Sequence, residues 1–260
     1  MTGPVAVLQH GELTPPGWLG NLMVERGVDH EVIHLYAGGS LPGHLDWAAV
    51  VSLGGAMSAY EEDAHPFLRD EKRFLLAAVG EEVPVLGICL GSQLLADALG
   101  GRVLLGPRME VGFVPVRLNG AGREDPVVRI LGDPVLSFHR DTWEPPPGAR
   151  VLAESTEYRQ AFRLGPALGL QFHPEASAEV VERWIEHAEA DIRKAGVAPE
   201  AVVAETEARQ DEARRRAWQL FGAWLDHVGA GTAGRGAVRK RSEQSAGDQR
   251  SRGQTRGGPQ

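Results

Sequence analysis

The chain contains a single cysteine, Cys89, among its 260 residues. One cysteine excludes an intramolecular disulfide framework and fits a reducing compartment, so we expect a cytoplasmic protein. The first ten residues lack a basic segment followed by an apolar run, which argues against a secretory signal peptide. No apolar run approaches the roughly 18 residues of a membrane span, so we expect no membrane partner.

Positive charge is scarce outside residues 230–260. That segment carries seven basic and two acidic residues, and because the whole chain has a net charge of -8, residues 1–229 carry -13. An acidic body argues against nucleic acid as a partner. Beyond Val228 the chain is rich in Gly, Arg, Ser and Gln and has no apolar periodicity. We therefore predict an α/β domain over residues 1–228 and a disordered basic tail over residues 229–260.

Short apolar runs alternate with helical patterns in the first hundred residues, and this alternation is typical of βαβ units. The middle of the chain instead has short strand candidates with few helices between them. We therefore predict an α/β fold with an open, mostly parallel twisted sheet, flanked by helices and carrying a small antiparallel extension. The predicted strands are Pro4–Gln9, Glu31–Tyr36, Ala48–Leu53, the run before Cys89, Phe113–Leu118, Val135–Phe138, Arg150–Glu154, Gln160–Leu164 and Leu168–Phe172.

Five segments have helical spacing of apolar residues. The last helix has an apolar stripe that could pack on the body or form a dimer surface, so the sequence leaves the oligomeric state open. The predicted helices are Trp18–Arg26, Pro66–Val79, Leu90–Leu99, Ala178–Lys194 and Pro199–Val228.

Cys89 lies at a sharp turn between a buried strand and a helix, in a G-x-C-x-G pattern formed with Gly87 and Gly91. This is a nucleophile elbow with cysteine in place of serine. The two glycines let strand and helix pass closely. The helix that begins near Leu90 directs its first amides toward the sulfur, which favours the reactive thiolate. The alternative is a small buried core cysteine; the paired glycines favour a nucleophile.

The stretch LQFHPE places His173 after an apolar strand and Glu175 two residues later. In extended backbone, residues two apart project to the same side, so Glu175 could orient the ring of His173. Together they would supply a base and its orienter for a nucleophile. The alternative is an ordinary polar loop.

A glycine-rich turn, Gly54–Ser58, follows the third strand. It could be an ordinary βα turn. The functional interpretation is that the amides of Gly55 and Leu90 form a two-donor oxyanion hole. The turn matches neither phosphate-binding glycine motif.

Other histidines are weaker candidates. His139 follows another apolar strand end and could line the pocket or lie in a polar loop. His30 and His34 are four residues apart but belong to a predicted strand, and no third ligand is near, so we predict no metal site.

The stretches GGAMS, GICLGSQLLADALGG and LQFHPE together resemble the class I glutamine amidotransferases, and FHRDTWEPPPGARVLAES resembles stand-alone, GMP-synthase-like members. The resemblance implies a flavodoxin-like α/β fold without a cofactor. It implies that Cys89 is the nucleophile, His173 the general base and acid, and Glu175 its orienter. The amides of Gly55 and Leu90 would bind the oxyanion.

The same resemblance implies that L-glutamine is the substrate. We expect it to contact Gly54, Gln93, His139 and the backbone around Ser137 and Phe138. The sequence has no P-loop and no S-G-G-x-D-S loop, so ammonia would pass to an acceptor on a separate chain. Two alternatives stay open: a hydrolase of other γ-glutamyl amides or peptides with the same three residues, and a catalytically silent binding or regulatory module.

Overall fold

The structure, a computed structural model, describes residues 3–230. Residues 231–260, most of the predicted basic tail, lie outside the described residues. The predicted domain boundary and the predicted disorder therefore stay predictions.

The strands of the described residues are β1 (Val5–Gln9), β2 (His30–His34), β3 (Ala49–Ser52), β4 (Val85–Ile88), β5 (Arg102–Val114), β6 (Arg117–Leu118), β7 (Val135–Glu144), β8 (Arg150–Glu154), β9 (Arg159–Leu164) and β10 (Ala167–Leu170). Eight of them form a central sheet in the order β2-β1-β3-β4-β10-β9-β8-β6. The first five positions are joined by parallel pairs, and β10, β9, β8 and β6 continue the sheet in antiparallel fashion. This mostly parallel sheet confirms the predicted fold class.

The helices are α1 (Gly17–Arg26), α2 (Phe67–Gly80), α3 (Leu90–Ala98), α4 (Gly120–Glu124), α5 (Ala178–Lys194) and α6 (Pro199–His227). They cover both faces of the sheet, so the strands β1, β3, β4 and β10 are buried at every position, whereas the edge strand β2 is partly exposed. Val5 and Val7 of β1 join one core cluster, whereas Ala6 and Leu8 join the other, because successive side chains point to opposite faces. Helices α1 and α6 contribute to the first cluster, and α2 and α3 to the second.

The two long strands β5 and β7 form a separate antiparallel two-stranded sheet. The predictions of short strands over Phe113–Leu118 and Val135–Phe138 were therefore wrong in extent. For β5 the reason is that Gly106-Pro107 interrupts the strand pattern, and the register shifts between Leu105 and Glu110. For β7, the polar run at residues 139–142 concealed the continuation of the strand to Glu144. Helix α4 and the 3-10 turn at Val128–Ile130 were not predicted.

Helix α6 packs on the body of the protein. Its residues Leu220, Phe221, Trp224 and Leu225 are buried in the first core cluster. The described helices include none that is long and apolar enough to cross a membrane.

The connection from β4 to α3 is a single residue, Cys89, and the two elements cross very closely. A Cβ at Gly91 would lie 2.0 Å from the carbonyl oxygen of Ser52, and one at Gly87 would lie 2.5 Å from the carbonyl oxygen of Gly91. The Gly91 N–H donates to the Leu53 oxygen at 3.0 Å. Both glycines are thus required for the crossing, as the sequence predicts.

We expect Gly91→Ala to lower the free energy of unfolding by about 3 kcal/mol, because the added methyl group meets backbone rather than a movable side chain. Gly80→Ala is the matched control, since a Cβ at Gly80 meets nothing within 4 Å. It should leave stability unchanged or raise it by up to about 1 kcal/mol. Urea unfolding followed by tryptophan fluorescence measures both. Equal unfolding midpoints for the two variants would contradict the close crossing.

Candidate active site

Neighbouring strands of the parallel sheet bring the candidate residues to one edge. In the spatial order β1-β3-β4-β10, the strand ends are followed by His10, Gly54, Cys89 and His173. Open α/β sheets place their ligand crevice outside the carboxyl ends of such strands. The topology therefore joins residues that are far apart in sequence.

The backbone at Cys89 is strained. Its φ is 50° and its ψ is -107°, a backbone conformation that residues other than glycine rarely adopt and that costs about 1–3 kcal/mol. Hydrogen bonds on both sides hold it. The Cys89 N–H donates to the Leu170 oxygen at 2.8 Å, and the Cys89 carbonyl accepts from the Ser92 hydroxyl at 2.7 Å. The turn thus places the Cys89 side chain, which is 6% exposed and packs on the first core cluster, in the wall of a cavity.

The sulfur of Cys89 is close to two polar groups. The sulfur lies 3.9 Å from the Phe138 oxygen, and the Gln171 Nε2 donates to the sulfur at 3.7 Å. Gln171 is fully buried. Gln171 was not predicted as a site residue, although it lies within the LQFHPE stretch. No sequence pattern distinguishes a glutamine that contacts the sulfur from one that does not.

His173 and Glu175 form a buried pair, as their spacing predicts. The His173 Nδ1 lies 2.7 Å from the Glu175 Oε1, and both side chains are 4% exposed. Burial lowers the pKa of His173, but the Glu175 carboxylate and then the Cys89 sulfur outweigh that effect and raise it to about 10. The ring also packs against Trp184 of α5, with ring centroids 4.6 Å apart.

The glycine turn lies against the side chains of both Cys89 and His173. A Cβ at Gly54 would lie 3.0 Å from the His173 Cε1 and 3.8 Å from the Cys89 Cβ. Gly55 and Leu90 line the cavity beside Cys89. Within residues 3–230, no acceptor is found for the Gly55 N–H. The lining of the cavity at Gly55 therefore includes a backbone donor without an acceptor among these residues.

The cavity in front of Cys89 has a volume of about 550 Å³. Its walls are the turn at residues 55–58, the start of α3, strands β5 and β7, and the last turn of α5. Gln93, Phe138 and His139 line it. The Gln93 Nε2 and the His139 Nδ1 both donate to the Asp141 oxygen, at 3.0 and 2.9 Å.

Ser137 lies outside this wall. Its hydroxyl is fully buried and donates to the Glu110 Oε2 at 2.8 Å. Glu110 also meets the His139 Nε2 at 3.2 Å and accepts from Ser155 and Gln160. Burial raises the pKa of Glu110, but hydrogen bonds from His139, Ser155 and Ser137 outweigh it, and the pKa falls below its ordinary value. Ser137 therefore does not line the cavity itself. It anchors strand β7, which places Phe138 in the cavity wall.

A further buried pair, His10 and Glu71, lies behind the glycine turn, with 2.7 Å between Nε2 and Oε2. Neither residue was predicted as part of the site. A signal existed: Glu71 lies on the buried face of α2 between Leu68 and Phe74, and a carboxylate in an apolar stripe needs a buried partner. Nothing local indicates which residue that partner is.

No cluster of three or more metal-ligating side chains occurs in the part of the chain that the structure describes.

Comparison with known proteins places this site in a family. The family model for class I glutamine amidotransferases matches residues 19–187. The glutamine amidotransferase-like protein YfeJ of Salmonella typhimurium is 35% identical over 179 residues, which cover 66% of this chain and 75% of YfeJ. The glutamine-hydrolysing GMP synthase of Thermus thermophilus is 36% identical over 149 residues, which cover 53% of this chain but only 27% of the synthase.

Comparison of the structure with solved structures also identifies a glutamine amidotransferase. A crystal structure of a glutamine amidotransferase of Thermotoga maritima superimposes with a TM-score of 0.77 at 30% identity, covering 88% of this chain and 98% of that one. The match of the family model spans all the strands that carry the candidate site except β1. The chain therefore belongs to the class I glutamine amidotransferase family.

Proposed function

We propose that this protein hydrolyses the side-chain amide of L-glutamine through a γ-glutamyl thioester on Cys89. The observation that carries the proposal is the position of Cys89. It lies on a strained turn, faces a cavity, and adjoins a histidine whose pKa a buried carboxylate and the sulfur raise to about 10. Such an arrangement favours a thiolate beside an imidazolium. The family and its glutamine-hydrolysing relatives support glutamine as the substrate.

In the proposed first step, the Cys89 thiolate attacks the amide carbon of glutamine. The π electrons of the carbonyl move to oxygen, and the amides of Gly55 and Leu90 bind the resulting oxyanion. Loss of one such donor typically costs about 10²–10³ in rate. The His173 imidazolium then protonates the departing nitrogen, the carbon–nitrogen bond breaks, and ammonia leaves. Cys89 is left as a γ-glutamyl thioester.

In the second step, water attacks the thioester and gives a proton to the now neutral His173. The carbon–sulfur bond breaks, glutamate leaves, and the thiolate–imidazolium pair is restored. Glu175 holds the ring through Nδ1, so Nε2 is the nitrogen that exchanges protons with substrate and water. The net reaction consumes glutamine and water and releases glutamate and ammonia.

Substrate positioning is proposed for the residues around the sulfur. Gly54 lets the substrate approach the reactive pair closely, because even a Cβ there would contact the His173 ring. Gln93, His139 and the backbone at Phe138 form the opposite wall, and Ser137 fixes that wall from behind. We propose that this wall holds the amino acid end of glutamine.

We further propose that ammonia passes to an acceptor on a separate chain. The match to the Thermus thermophilus GMP synthase covers 27% of that enzyme, so the matched residues correspond to only one part of a larger glutamine-hydrolysing enzyme.

The size of the cavity favours a second candidate, the hydrolysis of other γ-glutamyl amides. A volume of about 550 Å³ lies within the range of about 300–1,000 Å³ that is typical of sites for larger ligands. Arg108 and Lys194 also line this cavity, and in the second candidate a leaving amine larger than ammonia would lie beside them.

We expect Cys89→Ala and His173→Ala to abolish glutamate release from glutamine, since one lacks the nucleophile and the other the proton donor. His227→Ala is the matched control, because His227 is exposed at the end of α6. It should retain wild-type activity. Glutamate formation over time measures all three. Equal glutamate release from Cys89→Ala and wild type would refute the assignment.

The pH profile tests the His173–Glu175 pair. Because the pKa of His173 is raised to about 10, the imidazolium is present below that pH and is lost as the pH rises through it. Removing the carboxylate in Glu175→Gln should shift the alkaline limb of kcat/KM to lower pH by about 1–3 units. Glu182→Gln, an exposed glutamate on α5, should leave the limb in place. An unshifted limb in Glu175→Gln would show that Glu175 does not hold the proton on His173.

Substrate profiling separates the two candidates. With glutamine, γ-glutamyl methylamide and γ-glutamyl dipeptides, we expect kcat/KM to be highest for glutamine by about tenfold or more. A higher kcat/KM for a dipeptide would favour the second candidate instead.

A further inference from the structure

The His10–Glu71 pair is isolated from solvent and tied to the glycine turn. Both side chains are 0% exposed. His10 follows β1, and Glu71 reaches it from α2. The other ring nitrogen of His10, Nδ1, lies 3.2 Å from the carbonyl oxygen of Gly54. The second carboxylate oxygen of Glu71 accepts from the Ser52 hydroxyl at 2.7 Å.

The partners of His10 fix its protonation. A carbonyl oxygen can only accept a hydrogen bond, so Nδ1 donates to Gly54. When Glu71 is ionised, Nε2 donates to its carboxylate and His10 is an imidazolium. Burial lowers its pKa, but the Glu71 carboxylate outweighs burial and raises the pKa above the ordinary value. The Gly54 oxygen thus receives a charge-assisted hydrogen bond.

The hydrogen bond from His10 to the Gly54 oxygen determines the direction of the Gly55 N–H. The peptide between Gly54 and Gly55 is trans, because the one cis peptide among residues 3–230 is Asp133-Pro134. In a trans peptide the C=O and N–H groups point in opposite directions. His10 holds the oxygen from behind the turn, whereas Gly55 lines the cavity beside Cys89 and Leu90. The Gly55 N–H is thereby directed away from His10.

We propose that His10 and Glu71 are positioning residues: they hold the Gly54–Gly55 peptide so that the Gly55 N–H faces the reacting carbonyl oxygen, and they polarise it. This inference rests on the proposed function, because it assigns a support to the proposed oxyanion donor. A charge-assisted bond to one end of a peptide strengthens the donor at the other end. His10 itself does not touch substrate.

Stability alone gives a poor account of this pair. Buried ion pairs are often no more stabilising than apolar residues of the same volume, because desolvation offsets their attraction. The Glu71 carboxylate interrupts the buried apolar face of α2, which is formed by Leu68, Phe74, Leu75 and Ala78. A role in orienting the glycine turn explains why the Glu71 carboxylate occupies this buried position.

Two substitutions separate the two bonds of His10. The amide of asparagine occupies the place of Nδ1, so His10→Asn keeps a donor for the Gly54 oxygen and loses Glu71. The amide of glutamine reaches as far as Nε2, so His10→Gln keeps the bond to Glu71 and loses Gly54. We expect His10→Gln to lower kcat about 10²-fold with little change in KM, and His10→Asn to retain at least about tenfold more activity than His10→Gln.

Glu71→Gln provides a near-isosteric second variant that keeps the shape of the pair. With a neutral partner, His10 loses the charge that keeps both nitrogens protonated, so kcat should fall about tenfold. Thermal unfolding of each variant establishes the folded fraction.

A second readout does not depend on turnover. Amide hydrogen exchange over residues 53–58 should be faster in His10→Gln than in wild type, and close to wild type in His10→Asn. Alkylation of Cys89 by iodoacetamide, a displacement that develops no oxyanion, should proceed at the same rate in folded wild type and His10→Gln.

The outcomes distinguish the two hypotheses. If wild type releases no more glutamate than Cys89→Ala, the proposed function fails, and hydrogen exchange still decides whether His10 holds the turn. If wild type is active and His10→Gln matches it in kcat, the positioning role is overturned. Equal losses in His10→Asn and His10→Gln that follow the folded fraction would also overturn it.

Discussion

The single-residue connection between β4 and α3 is the constraint on which the site depends. Cys89 has to carry a positive φ because a strand and a helix meet there without a loop. That conformation is maintained by the close crossing at Gly87 and Gly91 and by the hydrogen bond to Leu170 of the neighbouring strand. The fold thus uses the stability of its parallel sheet to hold one residue in a strained backbone conformation at the wall of the cavity.

Buried histidine–glutamate pairs are the second feature on which the site depends. Three histidine–glutamate pairs, His173–Glu175, His139–Glu110 and His10–Glu71, lie around Cys89 and its cavity. The proposed mechanism gives each pair a different role. The first acts on the sulfur and the substrate, the second braces the wall formed by β7, and the third orients the glycine turn. Each is built from residues on different elements except the first, which a two-residue spacing creates.

Features that arise from residues close together in sequence could be predicted, whereas pairs formed between distant elements could not. The parallel sheet, the elbow at Cys89 and the His173–Glu175 pair arise from local patterns: apolar periodicity, paired glycines and residues two apart in extended chain. The partners of Glu71 and Glu110 are distant in sequence; His10 and Glu71 are separated by 61 positions, and only the fold joins them. The length of β5 was hidden by Gly106-Pro107, which is typical of a turn but is accommodated by an irregularity in the ladder.

Covalent acylation of Cys89 by the γ-glutamyl group of the substrate is the central step of the proposed mechanism. The most direct measurement is mass spectrometry of the protein quenched in acid during turnover with glutamine, followed by peptide mapping. We predict a γ-glutamyl adduct on the peptide that contains Cys89, which disappears when the glutamine is exhausted. Release of glutamate without an adduct on that peptide, or an adduct on another residue, would contradict the mechanism.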